Sequence, residues 1–153
     1  MKKLLLILLC FPLLTLGQQT YVPDNQFEYF IEDFLLGGNC NYDNYVDTDD
    51  ISDIEELEIN FNYFYEVYDL QGIEGFTSLE KVTMSNSNYS NDLDFGESTS
   101  ITNVIFKNMT FYYDEIDLSD WDALEHIFLN NVYDIPHNFD LSSDLGRVYA
   151  IEY

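Results

Sequence analysis

The chain has 153 residues, 46 % of them apolar and 17 % aromatic. That is enough for one domain with a real core, and too apolar for a disordered chain. The charge is extreme, with 29 Asp and Glu against 5 Lys and Arg, whereas a stable binder of nucleic acid or of an anionic membrane needs the opposite sign.

At the amino end, Met1-Lys2-Lys3 is followed by thirteen mostly apolar residues, Leu4 to Leu16. Thr15-Leu16-Gly17 then places small residues where a signal peptidase reads them. The run is too short to span a bilayer comfortably, and no later segment is longer or more apolar. A signal peptide over 1–17, cleavage after Gly17 and a secreted, extracellular product with no transmembrane segment are therefore expected. Attachment through a lipid on Cys10 is the weaker alternative, because Leu9 stands where a small residue would be needed. With Cys10 removed, Cys40 has no partner for an internal disulfide. It reads as a tolerated, partly buried thiol before an intermolecular bridge.

Residues 18–50 read as a cap. Pro23-Asp24 starts a helix over 23–36, Gly37-Gly38 ends it, and Phe27, Phe30, Ile31, Phe34 and Leu35 form one apolar stripe at helical spacing. In the loop that follows, Asn39, Asn41, Asp43, Tyr45, Asp47 and Asp50 fall at positions 1, 3, 5, 7, 9 and 12, with apolar Val46 at position 8. This loop resembles the calcium loop of EF-hand and dockerin-type motifs. The resemblance implies a structural Ca²⁺ held by hard oxygens, with Tyr45 giving its backbone carbonyl and Asp50 closing the site. Three positions depart from the pattern: Asn39 at 1, Asn44 in place of glycine at 6, and Asp50 one methylene shorter than the usual Glu. The competing reading is a polar loop in a chain rich in Asp and Asn.

Residues 51–153 repeat. Ile54-x-x-Leu57-x-Ile59, Leu79-x-x-Val82-x-Met84, Ile101-x-x-Val104-x-Phe106, Leu124-x-x-Ile127-x-Leu129 and Leu145-x-x-Val148-x-Ala150 align, their first positions 25, 22, 23 and 21 residues apart. Asn86, Asn108 and Asn131 stand two residues beyond three of these hexads, and Asp69-Leu70, Asp94-Phe95, Asp117-Leu118 and Asp140-Leu141 recur upstream of the following ones. The pattern resembles the leucine-rich repeat family, in particular its secreted bacterial members, over about two thirds of the chain. The family's buried Asn usually sits one place later, where this chain has Ser87, Met109 and Val132, so a continuous asparagine ladder lacks its usual residues. The resemblance implies an α/β, mostly β fold: a right-handed solenoid of about five repeats, each laying down a strand of about three residues in a short parallel sheet, closed by the amino-terminal capping helix. Hairpin signals of the Asn-Gly or Asp-Gly kind are missing, which argues against a sandwich.

Alternation then assigns outward positions. Glu56, Lys81, Asn103, His126 and Arg147 form one row, and Glu58, Thr83, Ile105, Phe128 and Tyr149 a second. Asn60, Ser85, Lys107, Asn130 and Ile151 form the third. All basic residues beyond the signal fall on this face, beside an apolar and aromatic file. A surface of Lys81, Ile105, Lys107, His126, Phe128, Arg147 and Tyr149 would suit protein or glycan recognition. Alternatively, the cations only relieve repulsion in an acidic protein.

Enzymatic activity is not expected. His126 and His137 are the only histidines, and no nucleophile elbow, phosphate loop or Cys/His metal spacing occurs. The expected function is an extracellular binding module working through its concave face. The alternative is a structural or calcium-dependent surface component without a specific ligand. The last hexad ends at Ala150 with no cap behind it, so an edge-to-edge dimer, a covering partner or a missing continuation is also expected.

Overall fold

The computed structural model describes residues 17–63, 67–89, 94–112, 115–134, 138–141 and 149–152. The residues up to Leu16, expected as a signal peptide, and His137, Leu145, Arg147 and Val148 lie outside the described residues. The fold is α/β and mostly β. Strands β3 (Glu56–Asn60), β4 (Lys81–Tyr89), β5 (Asn103–Phe111), β7 (His126–Asn130) and β9 (Tyr149–Glu152) form one sheet in the order β3-β4-β5-β7-β9, and every neighbouring pair is parallel. Parallel neighbours need a connection that crosses back to the same end. Here β6 (Glu115–Leu118) and β8 (Asn138–Leu141) pair in a second parallel sheet, and Asp69 bridges Asp94 in the same sense.

Alternation explains which side chains go in. Leu57, Ile59, Val82, Met84, Val104, Phe106, Ile127 and Leu129 are buried, while the residues between them are mostly half-buried or exposed. The hexads' first positions Leu79, Ile101 and Leu124 are buried too, with Ile54 partly so. From the connections, Leu70, Ile73, Phe76, Phe95, Leu118 and Trp121 join the same core. Trp121 fills it with a T-shaped contact to Phe95 and donates its indole N–H to the Phe95 carbonyl at 3.3 Å. Burial of this many large apolar groups supplies the main driving force for the fold.

The strands exceed the three residues expected, and β4 and β5 reach nine each. Both turn a corner at an asparagine. Asn86, Asn108 and Asn131 adopt φ of 62°, 51° and 54°, a left-handed conformation asparagine tolerates better than most residues. In β5 this shifts the parity, so that Phe106 and then Met109 and Phe111 are buried. The corner side chains bond in series: Asn86 Nδ2 donates to Asn60 Oδ1 at 3.2 Å, Asn108 Nδ2 to Asn86 Oδ1 at 3.1 Å, and Asn131 Nδ2 to Asn108 Oδ1 at 2.8 Å. A ladder therefore forms one residue before the family's usual place. It is half-buried at Asn86 and exposed at Asn108 and Asn131.

β9 also departs from the expected register. Ala150 pairs with Ile127, not Leu129, and Tyr149 pairs with His126, not Phe128. The slip is two residues, which preserves strand parity.

The cap opens with β1 (Gln19–Tyr21), antiparallel to β2 (Tyr45–Asp47). Between them run α1 (Asn25–Tyr29) and a π-helical segment, Phe30–Leu35. The predicted start holds, with Asp24 as the N-cap of α1. So does the stop, where Gly37 turns left-handed at φ 66°. The stripe does not hold throughout. Widening from α to π spacing rotates later residues around the axis, leaving Phe34 63 % exposed while Phe27, Phe30 and Ile31 stay buried.

Candidate functional site

On the sheet face, β3, β4, β5 and β7 bring the expected rows into register: Glu56, Lys81, Asn103 and His126 in one, Glu58, Thr83, Ile105 and Phe128 in the next, and Asn60, Ser85, Lys107 and Asn130 in the third, although Ser85, expected outward, is buried. Lys81 Nζ lies 2.6 Å from a Glu56 carboxylate oxygen on the adjacent strand. Such an exposed pair contributes little to stability, but it occupies Lys81 with local neutralisation. Lys107 is exposed and has no ion-pair partner among the described residues. The His126 ring stacks on Phe128, centroids 5.9 Å apart and planes 17° apart, with Nδ1 3.9 Å from a Glu125 carboxylate oxygen. Ile105, half-buried, is the cross-strand neighbour of Phe128. The structure thus brings Ile105, Lys107, His126 and Phe128 onto one patch. It sets Tyr149 beside His126 in backbone register; Arg147 lies outside the described residues.

The loop after the helix is ordered by its own side chains. Asn41 Oδ1 accepts from Asp43 N at 2.9 Å, Asp43 Oδ1 from Tyr45 N at 2.9 Å, and Asp47 Oδ1 from Asp49 N at 3.1 Å. Asp47 thereby caps α2 (Thr48–Ile51), whose first turn holds Asp50. Asn44 has φ 67°, as the glycine position of the resembled loop requires, and Tyr42 also turns left-handed at φ 56°. Val46, at position 8, is buried and pairs with Thr20. Asn44 O accepts from Val22 N, and Thr48 N donates to Gln18 O. By antiparallel alternation Tyr45, opposite Tyr21, then directs its carbonyl away from β1. Asn39 is exposed. The carboxylates of Asp43, Asp47 and Asp50 do not converge on one point.

A different trio does converge. A carboxylate oxygen of Glu28, one of Glu32 and Cys40 Sγ lie within 4.8 Å of one another. Glu28 is fully buried; Asn44 N donates to its Oε1 at 3.0 Å, and its Oε2 has no hydrogen-bond partner. Burial pushes the Glu28 carboxyl above its ordinary value, and the charges of Glu32 and Asp43 add to this. Asn41 N donates to Glu32 Oε2 at 3.1 Å. The Cys40 thiol is pushed up to about 11, chiefly by burial, with a hydrogen bond to Glu32 and the charges of both glutamates adding to it. The sequence pattern does not single these residues out. Glu28 is one acid among 29, and only its spacing of four from Glu32 hints at a shared helix face.

Asp24 joins the two regions. Its Oδ1 accepts from Gln26 N and Phe27 N, and its Oδ2 from Tyr68 N and Asp69 N, at 2.8–3.2 Å. Burial raises the pKa of neighbouring Asp69, as do the charges of Asp94 and Asp24. Among the described residues, no helix is long and apolar enough to cross a membrane. Comparison with protein-family models, with curated proteins and with solved structures returns no match.

Proposed function

We propose that this chain is a secreted leucine-rich repeat solenoid, acting as a binding module that takes a protein or glycan partner on the concave face of its parallel sheet. The repeated register supports the coil: equivalent residues of β3, β4, β5, β7 and β9 follow one another at intervals of 25, 22, 23 and 23 residues. Connections also hydrogen-bond to their equivalents in the next repeat, as Glu80 N does to Glu55 O, Thr102 N to Glu80 O and Glu125 N to Thr102 O. The observation that carries the binding reading is the contiguous Ile105–Phe128–His126 patch with Lys107 beside it, on a chain that is otherwise strongly acidic. Aromatic and aliphatic side chains supply contact area there, and the cation selects an acidic or hydroxylated partner.

The cap has a structural part in this reading, ordered by Ca²⁺ in the 39–50 loop. Its support is the left-handed Asn44, the Tyr45 carbonyl directed off β1 and the Asp47 cap. Affinity in the extracellular range is expected, Kd on the order of 10⁻⁴–10⁻³ M.

The test is an array of neutral glycans, uronic-acid glycans and extracellular-type peptides, probed with wild type and with Ile105→Ser/Phe128→Ser. Ligands captured by wild type and lost by a folded variant support sheet-face binding. Equal capture by both overturns it.

A further inference from the structure

We propose that Glu28, Glu32 and Cys40 form a binding site for a thiophilic divalent cation of the zinc class, separate from the ligand set of the 39–50 calcium loop. Three facts of geometry converge. Glu28 and Glu32 lie four residues apart, spanning the step from α1 into the π segment, and Cys40 comes from the following loop, so one continuous stretch of chain, 28–40, gathers all three. The donor atoms lie within 4.8 Å of one another, and tetrahedral zinc with bonds of roughly 2.0–2.3 Å asks for donors about 3.3–3.8 Å apart, a closure that side-chain torsions can supply. Glu28 is fully buried, and its Oε2 has no hydrogen-bond partner. A buried, unsatisfied carboxylate oxygen is costly unless it meets a proton or a cation.

The donors are also positioned. Asn44 N holds Glu28 through Oε1, and Asn41 N holds Glu32. Amide support of this kind orients metal ligands. The donor set selects the ion. Two carboxylates alone would suit Mg²⁺ or Ca²⁺, whereas a sulfur between them shifts preference toward zinc. On coordination the Cys40 thiol gives its proton to solvent, and the cation takes the proton's place between sulfur and Glu32. Three protein ligands leave one position for water.

The experiment uses the full chain, reduced and chelator-treated, titrated with Zn²⁺ in excess Mg²⁺ and Ca²⁺. One equivalent of Zn²⁺ should bind, and Co²⁺ in its place should show a sulfur-to-metal charge-transfer absorption. Cys40→Ser should abolish that absorption and weaken Zn²⁺ binding by roughly tenfold or more, and Glu32→Gln should weaken binding while keeping the absorption. Both side chains are only half-buried, so these variants should fold even if Glu28→Gln does not. Co²⁺ bound without a sulfur band, or Zn²⁺ affinity unchanged in both variants, would show only diffuse attraction to acidic surface and overturn the site. Displacement of Zn²⁺ by equimolar Ca²⁺ would overturn it equally.

Discussion

In β3, β4, β5 and β7, each strand buries the same pair of positions, and the strand beside it supplies the next layer of the same kind: Leu57 and Ile59, Val82 and Met84, Val104 and Phe106, Ile127 and Leu129. In the cap, the ties between elements are each made once. Asp24 alone holds four backbone amides, and Glu28 alone sits buried beneath the loop. The sheet is therefore a structure of interchangeable apolar parts, where shape and volume decide the outcome. The cap adds single polar parts to its own buried Phe27, Phe30 and Ile31, and there one atom's partner decides the outcome. The two regions should respond to different perturbations: the sheet to lost volume, the cap to lost charge, cation or proton.

The largest effect is expected from emptying a sheet position. Phe106→Ala removes a fully buried ring packed edge-on against Phe95 and Phe111, and should cost about 3–5 kcal/mol in denaturant unfolding. Next comes Asp24→Ala, which removes an N-cap and the tie to Tyr68 and Asp69 together. It should cost about 2 kcal/mol. Asp24→Asn should recover part of the loss, since one oxygen still accepts.

A smaller effect tests the ion proposed for the cap. Ten millimolar Ca²⁺ acting on a 1 mM site should add about 1.4 kcal/mol, roughly 3–6 °C in a melt. Mg²⁺ at equal ionic strength should not reproduce it, and Asp43→Asn/Asp50→Asn should lose it. No rise beyond the Mg²⁺ control would reduce the loop to acidic decoration.

Protons should act on the cap in the same spirit. Glu28 has a folded pKa raised above 4.5 by burial, so the folded state holds that proton more tightly than the unfolded chain. Its contribution to stability is fully present below pH 4.5 and is lost as pH rises through the raised value. In metal-free protein the melting temperature should therefore gain from this group as pH falls through the raised value toward 4.5. Asp69, raised for the same reason, adds to that slope. Asp117, lowered chiefly by its bond from the Ser119 hydroxyl, loses its contribution only as pH falls below 3.8, outside this window. Glu28→Gln should flatten part of the slope, seen in melts at stepped pH.

The smallest stability effect is expected on the outward face. Ile105 and Phe128 are half-buried, so Ile105→Ser/Phe128→Ser should cost about 1 kcal/mol or less each by area, while altering binding far more.

The same contrast explains which features are legible in the amino-acid sequence. A repeated apolar position announces itself several times, so the strands β3, β4, β5 and β7, their register and their buried residues can all be read from the pattern. Equivalent cues fail where context is not repeated. The β9 register lies two residues off the one the hexad predicts, pairing Ala150 with Ile127 and Glu152 with Leu129, and the sequence carries no cue for that shift. The stripe of the capping helix reads at α spacing, and a π segment turns Phe34 outward. The asparagine ladder forms from residues that stand out in the sequence only as a recurrence, because left-handed corners bring their side chains into series. The Glu28–Glu32–Cys40 trio leaves almost no trace, since burial of one acid among 29 is a tertiary property.

The most direct test of sheet-face recognition is a methyl and aromatic NMR titration with the best ligand from the array. Recognition there requires the Ile105 methyls and the Phe128 ring to shift in step with binding, while Ile31 and Ile51, buried in the cap, stay in place. Shifts confined to the cap, with Ile105 and Phe128 unmoved, would contradict it.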